Sequence, residues 1–527
     1  MKKRILEGLS INGFAALCIA GVLIGAMVIC AGCVQSGNDD STLRVVMNFG
    51  PDSSGSLDPA NGWEGWYVRE AGLFETLFYD DQNMELKPEL ATGYKALSDT
   101  EWEITLRKGV VFHDGTPFNA DAVIYSFNRV LDPANSRSSE YSFIKEVRKT
   151  DDYTIVIETT EPYAPLIASL VDPVMSIISP NIVDVDKQPV GTGPYAFVSF
   201  ESGASMDLVR NDKYWGGTPK AAKLSMTYNA DATARTLMLK SGDVDIAKDI
   251  LPSEYASLKS DSSTDVESKE TLRAYFIYIN GGKAPFDDVN VRQALSYALN
   301  RQEIVDTALE GVAGSPAVGM FTNTMPWNAN DKIASYDNDQ AKALELLAKA
   351  GITKGSDGKL YYNGEPFTIE IMTYTNRAAL PASLEVIAAQ YEKLGITVTT
   401  KHAEWSAIKS TVTSGTYDMV LYTWVTAPTG DPDYFISGHY LSTGAYASGW
   451  THYSNPQMDE WILAARSTFD QTKRAELYDK IQEQAQIDCP IIYVFYAMEN
   501  DAMSTSVKGF TIYPNDYTLV TKNIAVV

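Results

Sequence analysis

Four histidines, His113, His402, His439 and His452, are the side chains of this 527-residue chain best suited to ligate a metal or pass a proton. No two sit at helical ligand spacing. His113, in "VFHDGTPF", reads as a turn residue. His439 and His452 flank a tyrosine-rich loop and could meet in space, but two imidazoles fall short of the three or four donors of a tight site. Packing or surface roles are the default, and no metal or other cofactor is expected. Carboxylate pairs, the signature of acid–base hydrolysis, carry little information among 67 Asp and Glu. Walker A, G-x-S-x-G and H-E-x-x-H patterns are absent from the sequence. "GTGPYA" at 191–196 matches a dinucleotide fingerprint by letters only, because Pro194 stands where a helix should open and "FVSFES" follows as a strand. A glycine-permitted turn is the better reading.

One stretch promises recognition rather than catalysis. "YDMVLYTWVTAPTGDPDYF" (417–435) begins as a β-prone apolar run and ends in an acidic turn. Asp431-Pro432 suits a helix start, with Asp as N-cap and Pro at N1. Alternatively, Asp431 holds a positive charge. Tyr422, Trp424 and Tyr434 bracket the turn, while Trp63, Trp66 and Tyr67 cluster in "NGWEGWYVRE". Trp and Tyr beside Gly and Pro loops line amphipathic clefts as well as cores. For Trp63 and Trp424 both readings stand; core is the reading for the others.

The elements that must position these residues alternate. "EWEITLRKGV", "YTIVIETT", "AYFIYIN" and "YDMVLYTW" read as strands. "NADAVIYSFNRVL" places Val123, Phe127 and Val130 on one helical face. "VNVRQALSYALNRQEIVDTAL" reads as one amphipathic helix through Val291, Leu295, Leu299 and Ile304. "DQAKALELLAKAG" is a helix ended by Gly351, and "LPASLEVIAAQYEKLGITVTT" is helix, glycine stop, strand. The sum is α/β with mixed sheets, and a second lobe starts near "YFIYINGGKAPF".

With 43 Lys+Arg against 67 Asp+Glu, the net charge of −24 argues against nucleic acid as a partner. "MKKR", an apolar run from about 14 to 32 and "AGC" make an export signal. Ala31 and Gly32 before Cys33 resemble a lipobox, departing from it at Cys30. Residues 1–32 are therefore expected to be removed and Cys33 lipidated, with 33–42 as a polar tether; an uncleaved anchor is the alternative. Both place the body outside the membrane, lipid-anchored at the cell surface or on the periplasmic side in the first case. Cys489, the remaining cysteine, reads as a buried thiol.

Read together, several stretches resemble the extracellular solute-binding proteins of family 5, the oligopeptide, dipeptide and nickel-chelate receptors of ABC importers. They are "LDPA", "LRKGVVFHDGTPFNADAVIYSFNRVLD", "PVGTGPYAFVSF", "LVRNDKYWGGTPKAAKLSM", "LKSGDVDIA", "FIYINGGKAPFDDVNVRQALSYALNRQEIVD", "SGTYDMVLYTW" and "GDPDYF". The resemblance implies a two-lobed periplasmic-binding-protein-like (type II) α/β fold with hinge strands and an extra subdomain inserted in the first lobe. Lobe I would comprise 43–270 plus 495–527, with the subdomain at about 76–185, and lobe II 271–494. "YFIYIN" and "PIIYVFYAMEN" would be the hinge strands. The implied function is capture of short peptides by lobe closure and delivery to an ABC permease and its ATPase, by a monomer that is not an enzyme. A metal-chelate receptor is the alternative, weakened by Asp172 before Pro173 where nickel relatives tend to carry Arg. By the same resemblance Asp431 binds a ligand's α-ammonium and Arg377, in "YTNRAAL", its carboxylate, with Trp424, Trp63 and Tyr434 lining the site.

Overall fold

Apolar residues at every second position of "TLRVVM" drive strand β1 (Thr42–Met47), which buries Leu43, Val45 and Met47 and turns Arg44 outward to Asp245, 2.7 Å away. The structure, a computed structural model, describes residues 41–51, 56–375 and 377–527. The expected signal segment and Cys33 lie outside the described residues.

After β1 and the short helix α1 (Glu64–Glu70) comes a small sheet with a core of its own. It contains β2 (Ala91–Ala96), β3 (Glu101–Leu106), β4 (Ile144–Asp151) and β5 (Thr154–Thr159) in the order β2-β3-β5-β4. Helix α2 (Ala120–Leu131) packs on it through Val123, Phe127 and Val130, and starts where the Asn119 side chain accepts the Ala122 N–H. This sheet and α2 fall within the residues expected for an inserted subdomain, about 76–185.

The first lobe resumes with β6 (Tyr195–Glu201), β7 (Ser205–Arg210), β8 (Lys223–Tyr228) and β9 (Ile246–Ala247). Before β6, His113 bridges the Gly191–Gly193 turn, with Nε2 3.0 Å from the Gly193 carbonyl. A Cβ at Gly191 would come within 2.1 Å of the Leu73 carbonyl, so the motif is glycine-bound by close backbone approach.

Strand β10 (Thr264–Ile279) leaves the first lobe and enters the second. There α3 (Val289–Tyr297) and α4 (Arg301–Ala308) replace the single helix expected from the apolar spacing. The break follows from Asn300, whose side chain caps α4 through the Glu303 N–H, while the buried Arg301 donates to the Tyr493 carbonyl. Strand β11 (Gly314–Pro316), β12 (Thr368–Tyr374), α5 (Ala379–Leu394), β13 (Thr397–Ala403), α6 (Trp405–Thr413) and β14 (Met419–Val425) follow. Gly395, at φ 113°, ends α5 as its sequence position suggests. Then come α7 (Asp433–His439), α8 (Pro456–Ser467) and α9 (Gln471–Asp488). Strand β15 (Ile491–Ser504) returns to the first lobe.

One 11-stranded sheet spans both lobes in the order β13-β12-β14-β10-β15-β9-β1-β8-β7-β6, with β11 added to β15. Its second-lobe core includes Phe276, Tyr278, Ile371, Ile387 and Leu421, all fully buried. Each such side chain contributes about 1.5–3 kcal/mol of burial free energy. Among the described residues, β10 and β15 are the strands that run the length of the passage between lobes. Their antiparallel ladder breaks between Glu270 and Ala274. Within the break Leu272 donates instead to the Pro514 carbonyl and accepts from Thr426, both at 2.9 Å.

Candidate functional site

The two lobes face each other across a cleft that divides into two chambers. The first, of about 680 Å³, lies against the passage strands. The second, of about 990 Å³, lies between the inserted subdomain and α7–α8. Trp63, Trp424, Tyr434, Ala445 and Tyr446 line both. Each chamber has the size of a complete small-molecule site, about 300–1,000 Å³.

Trp63, at the start of α1, and Trp424, near the end of β14, meet edge to face with ring centroids 5.6 Å apart. The contact joins the lobes. On the far side of the Trp63 ring system the Arg137 guanidinium lies 4.1 Å from the ring centroid, held there by Asp172 at 2.8 Å. Behind Trp424 stand Tyr422, Tyr446, Trp450 and Trp405, each with a ring centroid 5–6 Å from a neighbour. Among the described residues, no protein acceptor takes the indole N–H of Trp63, Trp405, Trp424 or Trp450, so the wall presents donors as well as apolar faces. Tyr434, at the junction of the chambers, is half-buried.

Arg377 sits in the loop between β12 and α5 and reaches the first chamber. Its guanidinium lies 4.7 Å from the centroid of Phe49, on the first lobe. It forms no ion pair among the described residues. Burial works against its charge, but Tyr275, Tyr374, Asp249 and Asp516 outweigh that and keep it firmly protonated.

Asp431 is placed differently from the other four. It borders the second chamber and is 6% exposed. Arg474 of α9 grips it through two bonds, Nη1 to Oδ2 at 2.6 Å and Nη2 to Oδ1 at 2.9 Å, and the Tyr478 hydroxyl adds a third. Oδ1 also accepts the Asp433 N–H at 2.9 Å, which orders the start of α7.

Sequence reasoning does not single out the ionic floor of the first chamber. Lys248 lies between Glu70 at 3.3 Å and Glu499 at 3.1 Å, and Arg273 meets Asp516 at 2.8 Å. Burial pushes the Glu70 carboxyl up to about 7 against the opposing pull of Lys248. These residues come from α1, the segment after β9, β10, β15 and the C-terminal segment, so no local motif announces them.

His439 and His452 sit in unlike surroundings. His439 is buried, with Nδ1 on the Phe435 carbonyl at 2.9 Å and Nε2 on the Tyr278 hydroxyl at 2.7 Å. Burial lowers its pKa to about 3, so it is neutral. His452 is exposed at the end of a turn. Among the described residues no group of three His, Cys, Asp or Glu side chains could hold a metal ion. Nor is any described helix long and apolar enough to cross a membrane.

This arrangement can enclose a small ligand between lobes, with a guanidinium and aromatic donors on one side and carboxylates on the other. Comparisons with known proteins agree with that architecture. Residues 85–447 match the model of the bacterial extracellular solute-binding proteins, family 5. The chain is 30% identical over 463 residues to heme-binding protein A of Haemophilus influenzae, covering 82% of this chain and 83% of that one. It is 29% identical over 461 residues to the dipeptide-binding protein of Escherichia coli, covering 82% and 84%. Among solved structures, the periplasmic binding protein DppA of Helicobacter pylori in complex with the peptide STSA superposes with a TM-score of 0.78 at 26% identity, covering 93% of this chain and 99% of that one. A nickel ABC transporter protein of Bacillus halodurans does so with a TM-score of 0.73 at 30% identity, covering 92% and 100%. On the strength of the family match and the two-lobed fold, the chain belongs to the family 5 extracellular solute-binding proteins.

Proposed function

We propose that this protein captures short peptides outside the cell by closing its lobes on them and passes them to an ABC permease and its ATPase. It works as a monomer tethered through a lipid on Cys33 and does no covalent chemistry. The observation that carries the reading is Arg377: a guanidinium with no ion-pair partner among the described residues, in a closed, aromatic-walled cleft, where a ligand carboxylate would complete a strong charge-assisted pair. Trp63, Trp424 and Tyr434 then enclose the ligand body from both lobes. The ligand favours closure because it binds groups that come together only in the closed state. Asp431 borders the second chamber, but its carboxylate is bound to Arg474, so an ammonium reaching it would have to share a buried ion pair.

The likeness to the nickel ABC transporter protein supports a second reading, a metal chelate whose carboxylates meet Arg377. Native mass spectrometry of protein purified from its natural source separates the two. A retained peptide supports the first reading, and a retained metal complex replaces it with the second. Turnover of a bound peptide by the pure protein would overturn both.

A further inference from the structure

Two carboxylates on the first-chamber floor, Asp249 and Asp516, sit on left-handed backbone. Asp249, just after β9, has φ 52°, and Asp516, in the C-terminal segment, has φ 61°. Both lie in the left-handed region, which non-glycine residues occupy at a cost that the surroundings must offset. Asp249 is anchored by its own N–H, which donates to Asp501 at 2.8 Å, and by Asn48, which donates to its Oδ2 at 2.9 Å, while Arg235 Nη2 lies at the longer distance of 3.8 Å from Oδ2. Its side chain nevertheless remains 44% exposed, and it lines the chamber. Asp516 is 7% exposed. Its Oδ2 accepts from Arg273, but its Oδ1 is buried with no hydrogen-bond partner among the described residues. A buried carboxylate oxygen without a donor is a rare and costly state in a native protein.

Across the chamber stands Arg377. Asp249 and Asp516 are the carboxylates whose fields act on it, yet no ion pair within 4.0 Å joins it to either. Opposed charges that face each other without touching leave a slot for a molecule carrying both signs.

We propose that Asp249 and the free Oδ1 of Asp516 hold the α-ammonium of the bound peptide, on the lobe opposite to Arg377. The inference rests on the peptide reading above and assigns the cationic end of the ligand to the first lobe. Each terminus then engages a different lobe, so a zwitterion draws the lobes together whereas a ligand blocked at either end cannot. The ammonium also supplies the donor that Asp516 Oδ1 lacks, which an N-acetyl group cannot do.

The test is calorimetry with a panel of alanyl dipeptides, one for each side-chain class, and their N-acetylated forms. Wild type, Asp249→Asn, Asp516→Asn and Asp431→Asn are compared, with melting curves on each sample. Free dipeptides are expected to bind wild type at least tenfold more tightly than acetylated ones. In Asp249→Asn that preference should collapse, with a tenfold or greater loss for free peptides and little change for acetylated ones. Asp516→Asn provides a second reading of the same loss should Asp249→Asn fold poorly. If both folded variants keep the wild-type preference for a free amine, the assignment to Asp249 and Asp516 is overturned while the peptide reading stands. If wild type binds no peptide, free or acetylated, the peptide reading falls and this inference with it.

Discussion

Arg474 Nη1 lies 2.6 Å from Asp431 Oδ2, and both side chains are almost completely buried. The pair ties α9 to the turn that follows β14. Removing one partner of a buried ion pair leaves the other charge uncompensated, at a cost of about 3–5 kcal/mol. Asp431→Ala should therefore lower unfolding stability by that order in urea titrations. The double variant Asp431→Ala/Arg474→Leu should recover part of the loss, because no lone charge remains. A single variant as stable as wild type would show that the pair does not hold the turn.

Arg377 behaves in the opposite way. It has no ion-pair partner among the described residues, so Arg377→Gln should leave the melting temperature within about a degree or two, as expected of a substitution within about ±0.5 kcal/mol. Affinity for peptides with a free carboxylate should fall by roughly thirtyfold to several-thousandfold, the equivalent of about 2–5 kcal/mol. C-terminally amidated peptides should bind wild type and variant alike. Equal loss for amidated and free peptides would place Arg377 outside the carboxylate site.

Asp80 offers a pH handle on the fold. It is 2% exposed, its Oδ2 has no hydrogen-bond partner among the described residues, and it sits under Gly430 of the opposite lobe, 3.6 Å from where a Cβ would stand. Burial, with a smaller contribution from Asp81, pushes its pKa up to about 8. In the unfolded chain an aspartate titrates near 3.9. Between these values the folded state binds the extra proton, so this residue's contribution to stability is whole below about pH 4 and declines as pH rises toward 8, by up to about 1.4 kcal/mol per unit. The stability difference between wild type and Asp80→Asn, measured in urea at pH 5 and pH 8, should move by that sign. A difference that does not change with pH would refute the burial argument.

The cleft is also held at its outer rim. The Tyr163 hydroxyl of the first lobe donates to Asp433 Oδ2 at 2.8 Å, and the Ala164 N–H donates to the Arg466 carbonyl at 2.6 Å. Tyr163→Phe removes one hydrogen bond to a charged group, worth about 1.5–3 kcal/mol, although Asp433 keeps Arg466 and Ser437. The unliganded variant should show a larger radius of gyration in X-ray scattering. Its apparent affinity should fall roughly tenfold because the binding-competent state is less populated. An unchanged scattering profile would mean that the rim bond does not bias closure.

Strands, most helix ends and the aromatic side chains of the cleft can be read from the sequence because each depends on neighbours a few positions away. Val123, Phe127 and Val130 declare the face of α2, and Gly395 declares the end of α5. The site is only half legible for the same reason. Trp63 and Trp424 stand out by type, but their contact exists only once the lobes meet. The turn at Asp431 is visible, yet Arg474 sits on the largely polar α9, where nothing marks a buried cation. Asp249 and Asp516 are marked by backbone geometry, and Asp516 also by the donor its Oδ1 lacks, neither of which leaves a local pattern. The split of α3 from α4 shows apolar spacing running straight through a cap.

The gap in the ladder between Glu270 and Ala274 bears on how such a molecule changes over generations. Because Leu272 bonds to Pro514 and Thr426 rather than to β15, the ladder between the two passage strands is interrupted at this point. The gap leaves fewer sheet hydrogen bonds to resist a rotation there. The set-point between gaping and shut is left to the rim and to the ligand. A substitution at Tyr163 can therefore shift how readily the receptor engages without altering any group that recognises its cargo, and exchanges among the cleft residues can change the cargo while leaving the pivot intact. Sensitivity and selectivity are separately adjustable in this architecture.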